Sequence, residues 1–521
     1  MRKSLLTLLI VGLVLASFRF SWNDDSWRPS LEKVSKISEV VEKNYFQEVD
    51  REELIYSSIR GMLLTLDPHS YFLDPQSFAR MREDQTGKYA GLGIQIQKQE
   101  DRLIVIAPIE GTPAWRLGIQ AGDLITHIEG QSTKPLSSFE AMQRLRGEKG
   151  TKVTITLARE GVEKPFDVTI LREEITLYSV PYAFMLDGET GYVFIRNFAE
   201  TTSREFQEKM RLLAEQGMRN LILDIRYNAG GPLFQSLEIS DEFLPRGSLI
   251  VSIKGRNADY DRQFRAVRDN QHEATPLVVL INEGSASASE IVAGAIMDND
   301  RGYVVGEVSF GKGLVQTVYP LGSNMAVALT TAKYLTPSGR SIQKDYSHLE
   351  DYLLARDNNS GSREIRYTSG GRRVLGQGGI SPDYSVESKF RPLTLELMAR
   401  GAYFSYARKF AARQTPLAAS LIPRGEQGLA GSGAGLDRSF RADDGVIEDF
   451  LVFLKTLKLD FTEEKFEEAI EEIKRELDRE LHAALWNPEE GQKIYRLSDP
   501  VVLKALEVMP SKPFLDVGGA R

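Results

Sequence analysis

Apolar and polar residues follow several distinct patterns along this chain, and each pattern predicts a different kind of element. Residues 4–18 form an almost unbroken apolar run behind the basic pair Arg2-Lys3, which predicts a secretory signal or an N-terminal membrane anchor within residues 1–25. The run is shorter than the ~20 residues that span a bilayer, and a buried N-terminal helix is the alternative. Residues 30–78 then place apolar side chains at helical spacing, so they predict helices.

The pattern changes to β-type over residues 89–174, where short runs such as GIQIQ, LIVIA and KVTITLA are separated by glycine turns. Over residues 176–383, strands alternate with helices, which predicts a sheet covered by helices. Residues 392–413 and 446–485 return to helical spacing. The chain is therefore expected to be a multidomain α+β or α/β protein.

The predicted domains, in chain order, are a signal or anchor at 1–25, an N-terminal helical region at 26–86, a β-rich domain at 87–175, a β/α core at 176–391 and a helical C-terminal region at 392–521, which contains a Gly/Ala/Ser-rich flexible linker at 414–440.

The composition of the chain excludes several classes of function. The 521 residues include 65 Lys and Arg against 73 Asp and Glu, a net charge of −8, which gives no electrostatic footprint for nucleic acid. The chain has no cysteine, so it has no disulfide, no thiolate nucleophile and no lipid-modified N-terminal cysteine. With five histidines, it also has few residues from which a histidine-based site could be built.

The β-rich domain carries a candidate peptide-binding groove at Gly91, Leu92, Gly93 and Ile94. Glycines around an apolar residue let successive backbone N–H groups point into one concavity, which can capture a C-terminal carboxylate, and the next strand can pair with the peptide. GTPAWRLGIQAGDLITHIEGQS follows at a suitable distance, and the whole unit resembles a circularly permuted bacterial PDZ domain. A plain hairpin turn is the alternative explanation of the glycines alone.

Two segments of the core concentrate Gly, Ser and Lys. NEGSASASEI follows an apolar strand and enters an apolar helix, and a serine at such a turn gains from the positive end of the helix dipole. GEVSFGKGLVQ places Lys312 between two glycines. A lysine in an apolar pocket can lose its proton and act as the base that a serine nucleophile needs. A serine-rich helix cap and a surface lysine remain the alternatives for each segment taken separately.

A third segment, DIRYNAGGP, ends a strand in a glycine-rich turn whose N–H groups could form half of an oxyanion hole. It also resembles the nucleophile loop of trypsin-like proteases, with Ala229 where their serine would stand. The chain order and the absence of barrel modules upstream argue against that family.

Over roughly residues 31–387, the chain resembles the C-terminal processing (tail-specific) serine peptidases of bacteria. The motifs that carry the resemblance occur in the family's order and are LDPHSYFL, GLGI, GTPAWRLGIQAGD, DIRYNAGG, GSASASEI, SFGKGLVQ, YLTPSGRSIQ and GGISPD. The resemblance implies a crotonase-like (ClpP/crotonase-type) peptidase core behind the PDZ domain. It implies an exported endopeptidase, periplasmic or otherwise extracytoplasmic, that needs no cofactor or metal. Its expected partners are polypeptides with free, unstructured C-termini, and its helical termini could hold a second copy or an adaptor.

The resemblance also implies roles for individual residues. Ser287 would be the nucleophile, Lys312 the general base and Gln316, four residues further on, the residue that orients Lys312. The oxyanion hole would use the N–H groups of Gly231 and Ala288. Arg146, late in the PDZ unit, would couple tail binding to alignment of the catalytic residues.

Several alternatives stay open. An inactive PDZ scaffold is the main rival, although such a relative would tend to lose Ser287, Lys312 or Gln316, and all three are present. An acyl-CoA enzyme would suit the core but explains neither the PDZ unit nor the export signal. His69 beside Asp67 could suggest a Ser-His-Asp triad, but we interpret it as part of a turn.

Overall fold

The computed structural model describes residues 28–99, 101–159, 162–256, 258–269, 272–347, 363–422, 433–457, 459 and 461–509. The chain forms two compact units. The first comprises Met1–Phe78 and Gln316–Thr330, and the second comprises Ala79–Val315 and Thr331–Arg521. The predicted signal or anchor at 1–25 lies outside the described residues.

The helices of the described residues are α1 (Arg28–Asn44), α2 (Arg51–Leu64), α3 (Pro75–Thr86), α4 (Pro113–Arg116), α5 (Ser138–Leu145), α6 (Thr202–Glu215), α7 (Leu233–Asp241), α8 (Ala288–Asp298), α9 (Pro392–Ala399), α10 (Ala402–Ala411), α11 (Pro416–Leu421), α12 (Asp444–Thr456), α13 (Glu463–Glu468), α14 (Ile470–Leu485), α15 (Pro488–Leu497) and α16 (Pro500–Glu507). None of these helices is long and apolar enough to cross a membrane.

The strands of the described residues are β1 (Tyr71–Leu73), β2 (Lys88–Gly91), β3 (Ile94–Gln99), β4 (Arg102–Pro108), β5 (Leu124–Ile128), β6 (Gln131–Ser132), β7 (Lys152–Ala158), β8 (Phe166–Leu171), β9 (Glu173–Thr176), β10 (Tyr182–Met185), β11 (Thr190–Phe194), β12 (Asn220–Asp224), β13 (Leu249–Gly255), β14 (Arg262–Arg265), β15 (Leu277–Ile281), β16 (Tyr303–Gly306), β17 (Leu314–Gly322), β18 (Met325–Leu335), β19 (Ile365–Tyr367), β20 (Arg373–Leu375) and β21 (Tyr384–Ser385).

The first unit contains the predicted N-terminal helices. Asp50 caps α2 by accepting hydrogen bonds from the N–H groups of Glu52 and Glu53, which satisfies two otherwise unpaired donors. Beyond the LDPHS turn, β1 pairs antiparallel with β18, with Tyr71 opposite Ala328. The N-terminal region of the chain thus forms part of a sheet as well as a pair of helices.

The PDZ-like region of the second unit is a sheet in the order β3-β4-β5-β7-β8, with β6 paired to β5. Side chains alternate along β7, where Val153, Ile155 and Leu157 point into a closed apolar core. A capping box between Ser137 and Glu140 fixes the start of α5, which lies along one side of β3.

The core sheet has the order β10-β11-β12-β15-β16-β21, and its strands from β11 onward are parallel. Every residue of β15 is buried, as expected of a parallel strand covered on both faces. Leu277, Val279 and Ile281 face one apolar cluster with α8, whereas Val278 and Leu280 face a second cluster on the other side. A further sheet, formed by β13, β14 and part of β18, adjoins the end of α8.

The C-terminal region of the second unit has an apolar core of its own. Aromatic side chains on α10 and α12 pack on α14, among them Tyr406, Phe410 and Phe450. The segment predicted as a flexible linker contains α11, whose start is capped by Thr415, and Ala418 of that helix is buried in the same core. The last helix, α16, instead covers the second face of the core sheet.

Candidate active site

Ser287 lies in the turn between β15 and α8, immediately before the first helical residue. Its backbone has φ +56° and ψ −111°, a combination that is uncommon for any residue other than glycine. Such a conformation costs of order 1–3 kcal/mol and is found where a function requires it. The strained backbone and partial exposure of Ser287 are therefore consistent with a catalytic serine. Its neighbours Ser285 and Ser289 are fully buried, and their hydroxyls donate to backbone carbonyls.

Glu290 connects the Ser287 turn to the lysine loop. Its buried carboxylate accepts hydrogen bonds from the N–H of Ser287 at 2.8 Å and from the N–H of Lys312 at 2.9 Å, both through Oε2. Its Oε1 accepts from the Ser309 hydroxyl at 2.6 Å and the Gly311 N–H at 2.7 Å. Burial raises the pKa of Glu290, and these four hydrogen bonds act in the opposite direction.

Tyr334 makes a second connection between the same two segments. Its hydroxyl lies 2.7 Å from the carbonyl oxygen of Lys312 and 3.1 Å from that of Ser287, so its one proton is shared between them. Tyr334 is itself buried. The backbones of the predicted nucleophile and base, 25 positions apart in the sequence, are therefore tied together at both their N–H and C=O groups.

The two glycines beside Lys312 let its loop pack closely. Gly311 has φ +90°, and a Cβ there would lie 2.9 Å from the Cβ of Lys344. A Cβ on Gly313 would lie 3.0 Å from the N atom of Gln343, whose side chain accepts a hydrogen bond from the Gly313 N–H. The glycines are thus explained by packing of this loop against residues 343–344.

The glycine turn after β12 approaches the nucleophile directly. A Cβ on Gly230, which has φ +99°, would lie 2.9 Å from the Cβ of Ser287 and 3.0 Å from the N atom of Ala288. Gly231 follows in the chain, and a side chain there would collide with the carbonyl of Phe198. Ala288 is the first residue of α8, where N–H groups have no partner within the helix. The structure thus brings the predicted oxyanion-hole segments to the same place as Ser287.

Gln316 belongs to the first unit, on β17, so the chain beyond Lys312 is a strand. Its side-chain amide donates to the Thr330 hydroxyl at 3.5 Å, and that hydroxyl donates to the carboxylate of Asp67 at 3.1 Å. Burial would raise the pKa of Asp67, but hydrogen bonds from the Ser70 hydroxyl and from the N–H groups of His69 and Ser70 lower it. The LDPHS motif is thus a turn that supports β18, as the sequence interpretation of His69 expects.

The predicted peptide groove is an open cavity of about 270 Å³, lined by Leu92, Gly93, Ile94, Arg146 and neighbouring residues of β3 and α5. Gly93 has φ +77°, and a Cβ there would lie 2.3 Å from Thr112, so only glycine fits. Arg146 lies over the ring of Tyr89 at 4.4 Å and pairs with Glu83 of α3 at 2.7 Å. The groove therefore has an apolar floor and an ion pair, Arg146 with Glu83, at its edge.

A carboxyl pair lies in the loops that flank the Ser287 and Lys312 segments. Burial, and then a hydrogen bond with Glu283, raise the pKa of Glu307 to about 7. The Ser388 N–H also donates to Glu307, at 3.2 Å. Within the described part of the chain, no group of His, Asp and Glu side chains is placed to hold a metal ion.

Three residues that hold the site together, Glu290, Tyr334 and Thr330, were not among those predicted from the sequence. A signal for Glu290 was available, since a serine followed three residues later by glutamate marks a helix start. No local pattern marks Tyr334 or Thr330, because both act on residues that are distant in the sequence.

The chain is similar in sequence to known protein families and to individual proteases. Family models match residues 189–349 as Peptidase family S41, residues 90–170 as a PDZ domain and residues 19–77 as the N-terminal domain of the activating protease CtpB. A carboxy-terminal-processing protease of Bartonella bacilliformis is 39% identical over 335 residues, which are 64% of this chain and 76% of the relative. The carboxy-terminal processing protease CtpA of Bacillus subtilis is 33% identical over 344 residues, 66% of this chain and 72% of the relative.

A solved structure of a photosystem II D1 C-terminal processing protease is 28% identical, covers 70% of this chain and 95% of its own, and aligns with a TM-score of 0.38. Because this structural similarity is low, the family of the chain is identified from the family models and the curated relatives. They confirm the predicted multidomain fold, the PDZ domain and the peptidase core. The chain belongs to peptidase family S41, as a carboxy-terminal-processing serine peptidase that carries a PDZ domain.

Proposed function

We propose that this peptidase is an endopeptidase that binds the C-terminal tail of a polypeptide in its PDZ groove and cleaves near that end with a Ser-Lys dyad. The observation that carries the dyad is the pair of connections through Glu290 and Tyr334, which hold the backbones of Ser287 and Lys312 together. A serine peptidase without a histidine at its nucleophile needs another base, and a lysine can fill that role.

In the proposed mechanism the neutral amine of Lys312 accepts the proton of the Ser287 hydroxyl. The serine oxygen attacks the scissile carbonyl, the protonated lysine returns the proton to the leaving amine, and an acyl-enzyme forms. Water then attacks the ester with Lys312 again as base, and Ser287 is regenerated. The rate should rise with pH, because only the unprotonated amine accepts a proton. Gln316 would orient the lysine, as the resemblance implies.

The oxyanion that forms during attack would be stabilised by the N–H groups of Gly231 and Ala288. Two observations support this role: the close approach of Gly230 to Ser287, and the position of Ala288 at the first turn of α8. Removing one such hydrogen-bond donor typically lowers kcat by a factor of about 10²–10³.

The tail would be bound by the groove at Gly91, Leu92, Gly93 and Ile94, with its carboxylate at the backbone N–H groups and an apolar side chain on the groove floor. Leu92, Gly93 and Ile94 line the cavity, and Gly91 precedes them as the last residue of β2. Arg146 is proposed to couple occupancy of the groove to the catalytic residues. Its contact with Glu83 supports that role, because it joins the groove edge to the helix that enters the PDZ domain. The preferred substrates are therefore unstructured, largely apolar tails.

We also propose that the protein is exported, on the pattern of residues 1–25, and either processed or retained at the inner membrane by that segment. Self-association or adaptor binding through the helical termini is a further part of the proposal. Its support is a row of exposed apolar residues on α1, which includes Leu31, Val34 and Ile37. Replacing Ile37 by Asp should abolish any concentration-dependent increase in mass measured by light scattering.

The test of the proposed function is cleavage of a synthetic peptide with an apolar tail, followed by mass spectrometry of the products. The wild type should cut the peptide with a free C-terminal carboxylate and cut its C-terminal amide much more slowly, and EDTA should have no effect. An inactive PDZ scaffold would bind the peptide without cutting it. Equal cleavage of acid and amide would contradict tail recognition while leaving the peptidase activity in place.

A further inference from the structure

A buried cluster of charges lies beneath the peptidase site, outside the residues that the proposed mechanism uses. The guanidinium of Arg226 pairs with Asp224, at 2.6 Å, and with Asp499, at 2.7 Å. Arg496 donates to Asp499 at 2.9 Å, and the Tyr192 hydroxyl donates to Asp224 at 2.7 Å. Burial by itself would favour neutral carboxyls, but the two arginines lower the pKa of both Asp224 and Asp499.

Asp499 reaches this cluster from the far end of the chain. It caps α16 by accepting a hydrogen bond from the Val501 N–H, so its position is set by that helix. Val501, Val502 and Ala505 of α16 pack on the face of the core sheet that α8 does not cover. The S41 family model ends at residue 349, so Asp499 adds to the peptidase core from outside the matched segment.

Arg226 is the start of the loop that approaches the nucleophile. The next residue, Tyr227, has φ +58° and donates its N–H to the Asn282 side chain at 2.8 Å. The carbonyl of Asn228 accepts from the Ala286 N–H at 3.0 Å and from the Ser289 hydroxyl. The loop is therefore bonded to both sides of the Ser287 turn, and a shift of Arg226 would be transmitted to the backbone that faces the nucleophile.

The charges of the cluster balance. Two aspartates face two arginines, so the group is neutral as a whole; Asp224, Arg226 and Asp499 are buried and Arg496 is partly buried. Without the charge of Asp499, Asp224 alone would have to neutralise both Arg226 and Arg496. A buried charge without its partner is strongly unfavourable, and the side chain moves or the site takes in water to relieve it.

We propose that Asp499 is a positioning residue for the oxyanion-hole loop, and that α16 is thereby a working part of the peptidase site. Asp499 and Asp224 bind two edges of the planar Arg226 guanidinium, Asp499 through Nη1 and Nη2 and Asp224 through Nε and Nη2. The fixed arginine holds residues 227–231 against the Ser287 turn. This inference rests on the proposed function, since it assigns Asp499 to the same reaction.

The experiment uses the full chain and the variant Asp499→Asn, which keeps the helix cap because asparagine caps as well as aspartate. Asp443→Asn is the matched control, since Asp443 caps α12 in the same way but is exposed and far in sequence from the loop. Two quantities are measured: kcat and KM on the tail peptide, per site titrated with a fluorophosphonate, and amide hydrogen exchange of residues 225–232 by mass spectrometry.

The inference predicts that Asp499→Asn lowers kcat per titrated site by at least about tenfold, part of the 10²–10³ lost with an oxyanion donor, and leaves KM within about twofold. Exchange of the loop amides should accelerate, and the control should change neither quantity. Should the single variant fail to accumulate, the charge-balanced pair Asp499→Asn with Arg496→Gln leaves no unpaired buried charge, and it should still lower kcat and accelerate loop exchange, because Arg226 loses its ion pair with Asp499.

Unchanged kcat per site together with unchanged loop exchange would overturn the inference. So would a loss of activity that appears only as fewer titrated sites, because that is the signature of unfolding. A wild type that neither reacts with the probe nor cuts the peptide would contradict the proposed function itself. Even then, loop exchange that is equal in Asp499→Asn and wild type would separately refute the positioning role.

Discussion

Replacing Glu290 by Gln tests how the nucleophile and base are held together. The carboxylate receives four hydrogen bonds, two at each oxygen, and an amide can accept at only one of those positions. If the amide nitrogen faces Ser309 and Gly311, the serine hydroxyl can rotate to accept a hydrogen bond, and the Gly311 N–H alone is left unpaired. If it faces the other way, the N–H groups of Ser287 and Lys312 both lose their acceptor.

A buried donor without an acceptor costs about 1–3 kcal/mol. The first orientation therefore costs about 1–3 kcal/mol and the second about 2–6 kcal/mol, so the amide should adopt the first. Glu290→Gln should lower the free energy of unfolding by about 1–3 kcal/mol and keep much of the connection between Ser287 and Lys312. Glu290→Ala removes all four acceptor contacts, and it should abolish cleavage.

Urea unfolding followed by circular dichroism gives the stability, and kcat per titrated site gives the activity. Glu205→Gln is a matched control, since Glu205 is also buried and accepts from the Val180 N–H and two hydroxyls. It should lower stability without lowering kcat. Full stability in Glu290→Gln, or wild-type kcat in Glu290→Ala, would refute the reasoning.

Three further predictions concern the groove, the carboxyl pair and the glycine turn. Arg146→Ala should raise KM for the tail peptide by about tenfold, the loss of one charge-assisted contact, whereas Arg144→Ala, which removes an exposed arginine from the last turn of α5, should not. Because the pKa of Glu307 is raised to about 7, its stabilising contribution is complete below its ordinary pKa and is lost as pH rises through about 7. The melting temperature should therefore fall between about pH 5 and about pH 8, and less so in Glu307→Gln. Gly230→Ala places a methyl group against Ser287 and should abolish cleavage while the PDZ domain still binds the peptide in a fluorescence titration.

The sequence predicted the elements of this fold because each one has a local signal. The alternation in KVTITLA and the wholly apolar LVVLI identify strands with one or two covered faces, and glycine turns separate them. The strand-to-helix turn that contains Ser287 was predictable for the same reason. Its positive φ was not, since nothing in SASAS requires it.

Local sequence patterns do not predict contacts between residues that are distant in the sequence. Asp499 pairs with a residue 273 positions earlier, and no local pattern shows that α16 covers a face of the core sheet. Tyr334 is one tyrosine among 19, and only the antiparallel placement of β18 brings its hydroxyl to two loop carbonyls. One sequence therefore allows the reacting residues to be proposed from local motifs, but not the distant residues that hold their backbones in place.

Reaction of Ser287 with a fluorophosphonate tests the dyad most directly. The labelled residue is identified by peptide mass spectrometry in wild type, Ser287→Ala, Lys312→Ala and the control Lys333→Ala, which removes an exposed lysine of β18. The account predicts a label on Ser287 in the wild type and the control, and none in the other two variants. Labelling and peptide cleavage at the wild-type rate in Lys312→Ala would contradict it.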